Sequence, residues 1–154
     1  MKLLPLLYRL ASPVRSLYWR ILKPLTYGTR VLITHPDNPE KILLIRHSYG
    51  NRDAWNIPGG GYNPEQEVAE DGASRETLEE VGMKITDLKV LGIYESGGKG
   101  KHDTVTMFSA TATHPLAIKT GPEIADAKWV DISSAKNLSN ISSVAKKAVS
   151  LFET

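Results

Sequence analysis

Apolar residues along the 154-residue chain recur with more than one period, and each period predicts a different kind of element. Near the start, Leu7, Leu10, Val14, Leu17, Tyr18, Ile21 and Leu25 stand three or four positions apart, a single stripe on a helix. Ser12-Pro13 supplies an N-cap and a first helical residue, and Pro24 bars continuation, so a helix over about 13–23 is predicted. Two β-rich runs follow, Arg30 to Thr34 and Lys41 to Arg46, separated by the turn-forming cluster His35-Pro36-Asp37-Asn38-Pro39. Asn63-Pro64 repeats the cap-and-proline signature and opens a helix to about Val81, with Gly82 as its left-handed stop. Lys84 to Tyr94 and Thr104 to Thr113 read as a strand pair joined by a loose, glycine-rich loop. Trp129 to Ile132 reads as a short strand, and about 133–152 as a closing helix with Leu138, Ile141, Val144, Ala148 and Leu151 on one face. Strands interleaved with three helices in one domain predict an α/β or α+β fold, a mixed sheet between helical layers.

Composition narrows the class. With 41% hydrophobic and 23% charged residues the chain can bury a core. A net charge of +2 is too balanced for a DNA-binding protein on bulk electrostatics, and no apolar run is long enough to cross a membrane. Zero cysteines exclude a disulfide framework and a thiol nucleophile and fit a reducing, cytoplasmic setting.

Charge distribution says more than the total. Residues 1–30 carry six basic residues and no acid. This front segment, 1–26, is either a helix packed on the domain or an interfacial helix on an anionic membrane surface, with residues 1–25 making that contact. Within 65–80 stand seven carboxylates, offset only by Arg75. Glu76, Glu79 and Glu80, at i, i+3 and i+4, share one helix face, where like charges repel by a few tenths of a kcal/mol per pair (about 0.2–0.5). A divalent cation that prefers carboxylate oxygens and phosphates, Mg²⁺ above all, converts that repulsion into affinity. A solvated acidic face is the plain alternative for those three residues alone.

The spacing around them goes further. Gly61, Glu67, then Arg75-Glu76-Thr77-Leu78-Glu79-Glu80-Val81-Gly82-Met83 resembles the signature of the Nudix hydrolases, from Gly61 to Met83. Seven polar or glycine positions match, a coincidence on the order of 10⁻⁶ for a chain of this length at average residue usage. Trp55-Asn56-Ile57-Pro58-Gly59-Gly60 resembles the family's approach to this box. Thr77 departs from it, standing where an aliphatic residue is expected, with a small packing cost as the expected consequence.

The resemblance implies an α/β/α sandwich over 27–154 and a metal-dependent pyrophosphohydrolase. By position, Glu76, Glu79 and Glu80 are implied ligands of Mg²⁺ or Mn²⁺, joined by the Gly60 carbonyl. Glu79 or Glu80 is the implied base that orients or deprotonates water, and Glu67 with Arg75 the ion pair that braces the motif. Gly61 and Gly82 complete the structural positions. The implied chemistry is hydrolysis of a phosphoanhydride in a nucleoside diphosphate linked to another moiety. Dimers are frequent in the family, but no self-complementary surface is legible here.

Outside the box, Glu123 is the first candidate for a further base or ligand, ahead of Glu95 and Asp103. Arg46 and His47 leave the second β-rich run where they can meet phosphates, and Lys99 lies in a basic Gly-rich loop able to close over one. Markers of the ADP-ribose and dinucleoside-polyphosphate subgroups are absent, which leaves the substrate open among nucleotides, nucleotide sugars and RNA 5′ ends. Two other readings stay open: a nucleotide-binding module without turnover, and a membrane-peripheral hydrolase of a lipid-linked diphosphate.

Overall fold

Val31, Leu32 and Ile33 are all fully buried, and so is every residue from Ile42 to Ile45. Two adjacent strands buried on both faces need a layer on each side, which is why these runs are continuously apolar and do not alternate. The computed structural model describes residues 25–98 and 101–154. Its elements are β1 (Leu25–His35), β2 (Asn38–His47), β3 (Gly61–Tyr62), α1 (Ala69–Val81), β4 (Ile85–Gly98), β5 (Lys101–Ala112), β6 (Ile124–Asp131), α2 (Ile132–Lys136) and α3 (Ser143–Phe152). The helix expected near 13–23 and the loop residue Lys99 lie outside the described residues.

The sheet runs β4-β5-β1-β2-β6, with β3 paired to the start of β1. β1 is parallel to β5 and antiparallel to β2 and β3, so the sheet is mixed, as expected. Alternation then sorts side chains between the two layers. Leu32, Ile42 and Leu44 pack with Ile132, Ala135, Ala145, Ala148 and Val149 from α2 and α3. Val31, Ile33, Leu43 and Ile45 pack with Ala73 and Val81 of α1, Met83 and Phe108. Each fully buried Leu, Ile or Phe side chain contributes roughly 1.5–3 kcal/mol of transfer free energy, so β1 and β2 form the rigid floor on which the site rests.

Several boundaries differ from expectation, each for a tertiary reason. The helix expected from Asn63 begins at Ala69. Asn63 instead closes a turn, its Oδ1 accepting from Glu65 N at 3.0 Å and its carbonyl from Gln66 N at 2.9 Å. That turn leaves Glu67 outside the helix, free to reach back to Arg75. The described part of the Gly-rich connection continues the β4–β5 ladder, with Gly97 opposite His102 and Gly98 opposite Lys101. The closing helix is broken into α2 and α3. Between them Asn140 and Ser142 bond the backbone of Trp55, through Trp55 N to Asn140 O and Ser142 N to Trp55 O, both 2.8 Å. Ser142 then caps α3, its hydroxyl accepting from Ala145 N at 3.1 Å. The strand expected from Trp129 begins at Ile124, because β2 supplies a partner along its whole length.

Thr77, the departure from the Nudix pattern, is fully buried, and its hydroxyl donates to Ala73 O at 2.8 Å. The polar atom is therefore satisfied inside the helix and leaves no orphan in the core.

Candidate active site

Residues Pro58 to Tyr62 run alongside β1: Val31 N donates to Pro58 O and Thr29 N to Gly60 O, each at 2.8 Å. Gly59 has φ +146, and a Cβ there would lie 2.1 Å from Thr29 O. Only glycine fits so close to β1 with that backbone. The close approach brings the Gly59 N–H onto Glu80, which accepts it through Oε2 at 2.9 Å. At Gly60 an added Cβ would meet the Glu76 carboxyl carbon at 2.4 Å, so the Glu76 carboxylate lies directly on this backbone.

Arg75 organises the remaining box residues. It grips Glu67 with two prongs, Nη2 to Oε1 at 2.6 Å and Nε to Oε2 at 3.2 Å. Its Nη1 donates to Glu76 Oε1 at 2.9 Å and stands 3.5 Å from both Glu79 carboxylate oxygens, while Nη2 also donates to Gly61 O at 3.1 Å. The paired donors hold Glu67 below the usual carboxylate range, and the same bond holds Arg75 protonated. Arg75 thus joins Glu67, Gly61, Glu76 and Glu79 in one network. Gly82 ends the helix in the left-handed region at φ +66, its N–H on Leu78 O.

Glu80 is buried at the bottom of the site. Burial pushes its carboxyl up to about 8, with Glu76 and Glu123 adding to the rise and the Gly59 N–H and the Arg30 charge opposing it. Burial also raises Glu76, against the pull of Arg75. Glu123 arrives from a distant segment because 119–121 is stitched to the end of α1: Lys119 N donates to Val81 O at 2.9 Å and Gly121 N to Glu80 O at 2.8 Å. Gly121 has no room for a side chain, since a Cβ would sit 2.4 Å from Glu79 O. Tyr49 Oη then donates to Glu123 Oε2 at 3.3 Å.

The result is a pocket of about 280 Å³ lined by Glu76, Glu79, Glu80 and Glu123 with Gly121 and Pro122. A larger cleft of about 750 Å³ takes in Glu76, Glu80 and Glu123 together with Arg30, His47 and Tyr49. Four carboxylates around one small pocket, two of them raised by burial, are a donor set that fits a hard divalent cation. Glu76 and Glu79 are turned toward Arg75, and among the described residues no three Asp, Glu or His side chains are already gathered in ligating geometry. The Gly60 carbonyl accepts from Thr29 N at 2.8 Å and, at 3.5 Å, from the Thr29 hydroxyl, the longer bond being the one a cation would displace.

Arg46 is placed differently from the phosphate-binding position expected of it. It pairs with Asp126 at 3.2 Å and lies over Trp55, its guanidinium carbon 4.9 Å from the ring centroid, and it does not line the cleft. Successive strand residues point to opposite faces, so His47 lines the cleft where Arg46 does not. Burial and, second to it, the nearby Arg30 charge lower the His47 imidazole, which favours its neutral form. Asp103 lines the far part of the same cleft, bonded by the Thr26 hydroxyl. Arg30, Gly59 and Tyr49 are not among the residues that sequence reasoning nominates for the site. Gly59 has a signal, the Pro-Gly-Gly run; Arg30 enters only as a basic residue at the start of the first β-rich run, and Tyr49 carries no signal.

With fold and site described, the class is defined: residues 25–152 match the NUDIX domain model, and the chain belongs to the Nudix family. Mouse "Diphosphoinositol polyphosphate phosphohydrolase 3-alpha" is 38% identical over 81 residues, covering 52% of this chain and 47% of the relative. "Putative 8-oxo-dGTP diphosphatase" of Bacillus subtilis (strain 168) is 31% identical over 105 residues, covering 68% of this chain and 66% of the relative. The chain thus spans about half of the first relative's length and about two thirds of the second's. The MutT protein from Methanosarcina mazei Go1 shares the fold, with a TM-score of 0.69 at 23% identity over 84% of this chain and 94% of that one.

Proposed function

We propose that the protein is a divalent-cation-dependent hydrolase that cleaves a phosphoanhydride bond in a nucleoside diphosphate derivative, of the NTP, nucleotide-sugar or ADP-ribose type. The observation that carries this reading is the convergence of Glu76, Glu79, Glu80 and Glu123 on one small pocket that opens beside a larger cleft. Glu76, Glu79 and Glu80 would hold Mg²⁺ or Mn²⁺, with the Gly60 carbonyl as a further ligand. Such an ion neutralises the diphosphate and lowers the pKa of a water molecule bound to it.

The chain's own residues supply the remainder. Gly59 N–H fixes one Glu80 oxygen. Arg75 holds the Glu76 and Glu79 carboxylates at the edge of the pocket, from which they would turn to a cation. Glu79, Glu80 and Glu123 are the acceptors available for the proton of the attacking water. A binding module that never turns over has no use for four repelling carboxylates, which favours the hydrolase. The Bacillus subtilis relative's name points to a nucleotide substrate and the mouse relative's to a phosphorylated inositol, so both chemistries belong in the test.

That test is product release with Mg²⁺ from (d)NTPs, ADP-ribose, nucleotide sugars, dinucleoside polyphosphates, triphosphorylated RNA and diphosphoinositol polyphosphates, for wild type and Glu80→Gln. Turnover of one class, lost in the variant, supports the reading. Turnover that survives Glu80→Gln refutes the metal-site assignment. Silence across the panel with folded protein refutes the nucleotide reading.

A further inference from the structure

Arg30 stands in the middle of β1, where its neighbours Thr29 and Val31 are fully buried. Its Nη1 donates to Thr29 O at 3.1 Å. Unlike Arg46 and Arg75, it has no carboxylate within ion-pair distance among the described residues. It nevertheless lines the large cleft with Glu76, Glu80, Glu123 and His47. His47 Nδ1 is buried without a hydrogen-bond partner in the same cleft.

A half-buried guanidinium without an ion pair keeps most of its donors for something that is not protein. Its planar fork suits two oxygens of one phosphate, which a carboxylate-lined cleft would otherwise repel. We propose that Arg30 is the phosphate-binding residue of the cleft: its guanidinium takes non-bridging oxygens of the phosphate next to the one that a cation held by the carboxylates would take, with the His47 ring beside it. This rests on the reading that the site accepts a diphosphate, and it makes Arg30, not Arg46, the cation of β1 and β2 that meets substrate. The competing role is charge balance, in which Arg30 only moderates repulsion among the glutamates.

The two roles predict opposite changes in two affinities. Inorganic pyrophosphate with Mg²⁺ is titrated calorimetrically into wild type, Arg30→Met and Arg30→Lys, and Mn²⁺ alone is titrated by electron paramagnetic resonance. A clamp predicts that Arg30→Met weakens pyrophosphate by about tenfold to a hundredfold, the range of a charge-assisted hydrogen bond. Arg30→Lys, which keeps the charge without the fork, loses less. Mn²⁺ affinity holds or rises, because a repelling cation is gone. The proposal is overturned if folded Arg30→Met binds pyrophosphate as wild type does, or if pyrophosphate and Mn²⁺ weaken together in both variants. It is also overturned if wild type fails to bind pyrophosphate at millimolar concentration. Pyrophosphate binding that depends on Arg30 in a protein with no turnover on any substrate would leave the clamp standing and remove the hydrolase. Turnover with pyrophosphate affinity indifferent to Arg30 would do the reverse.

Discussion

The two long helices, α1 and α3, cover opposite faces of the same sheet and are built on opposite terms. α3 buries Ala145, Ala148 and Val149 and starts at a capped serine. α1 buries Gly72, Ala73, Thr77, Glu80 and Val81, and its N-cap position, Val68, makes no side-chain cap. One helix follows the rules for a stable amphipathic element. The other carries a carboxylate in its buried face and acids at its centre, and it is held by Arg75, by Gly59 and by the 119–121 segment. A helix that breaks local rules while its neighbourhood compensates marks where function has been placed. The difference teaches that the cost of the site is spread over segments far from it in sequence.

Perturbations of each helix should separate along that line. The largest effect is expected from Glu80→Gln, which keeps an acceptor for Gly59 N–H but removes the charge: turnover should fall on the order of 10²–10⁴-fold while circular dichroism stays native. If turnover is unchanged, α1 is not the working helix. Next comes the shared floor. Leu44→Ala, in the layer beneath α3, should cost about 2–5 kcal/mol in urea unfolding, and activity per folded molecule should be preserved.

A third comparison concerns the metal-free protein and pH. Glu80 has a folded-state pKa of about 8, above the ordinary 4.5, so its protonated form is favoured by folding. That stability is fully present below about 4.5 and is lost as pH rises through about 8. In EDTA, the melting temperature of wild type should therefore drop relative to Glu80→Gln between pH 5 and pH 9, and Mg²⁺ should restore it. A gap that does not change with pH would place Glu80 in a better-solvated site than the fold indicates. The smallest effect is expected at α3's start. Ser142→Ala removes the cap and should cost about 1 kcal/mol, with kcat unchanged; a drop in kcat would mean that the cleft wall beside Asn56 is coupled to catalysis.

The box from Gly61 to Met83 is legible in the chain itself, since seven spaced positions and a 3.6-residue period place Glu76, Glu79 and Glu80 together by local geometry alone. Glu123 is legible only as a nominee. It joins the others because Gly121 closes against the Glu79 carbonyl. Arg46 departs from its expected place for a related reason: strand alternation decides which of the adjacent Arg46 and His47 faces the cleft, and the register that sets it depends on pairing with β6. The start of α1 departs from expectation because Asn-Pro is equally a turn signal, and the need of Glu67 to reach Arg75 selects the turn.

Taken by itself, the sequence determined what short-range physics can determine. It specified the helix that aligns three carboxylates, the glycine that stops it, the strands of β1 and β2 and the chemistry of a cation-binding acidic face. Tertiary structure alone decided what enters that face from elsewhere. Gly59 reaches Glu80 only because β1 offers Thr29 and Val31 as partners to Pro58–Gly60; α2 and α3 separate because Trp55 bonds the residues between them; Arg30 enters the cleft from the middle of a strand. These contacts join residues roughly 20 to 90 positions apart. Their free energy depends on which strands pair and in what register, and no window of local sequence contains that information.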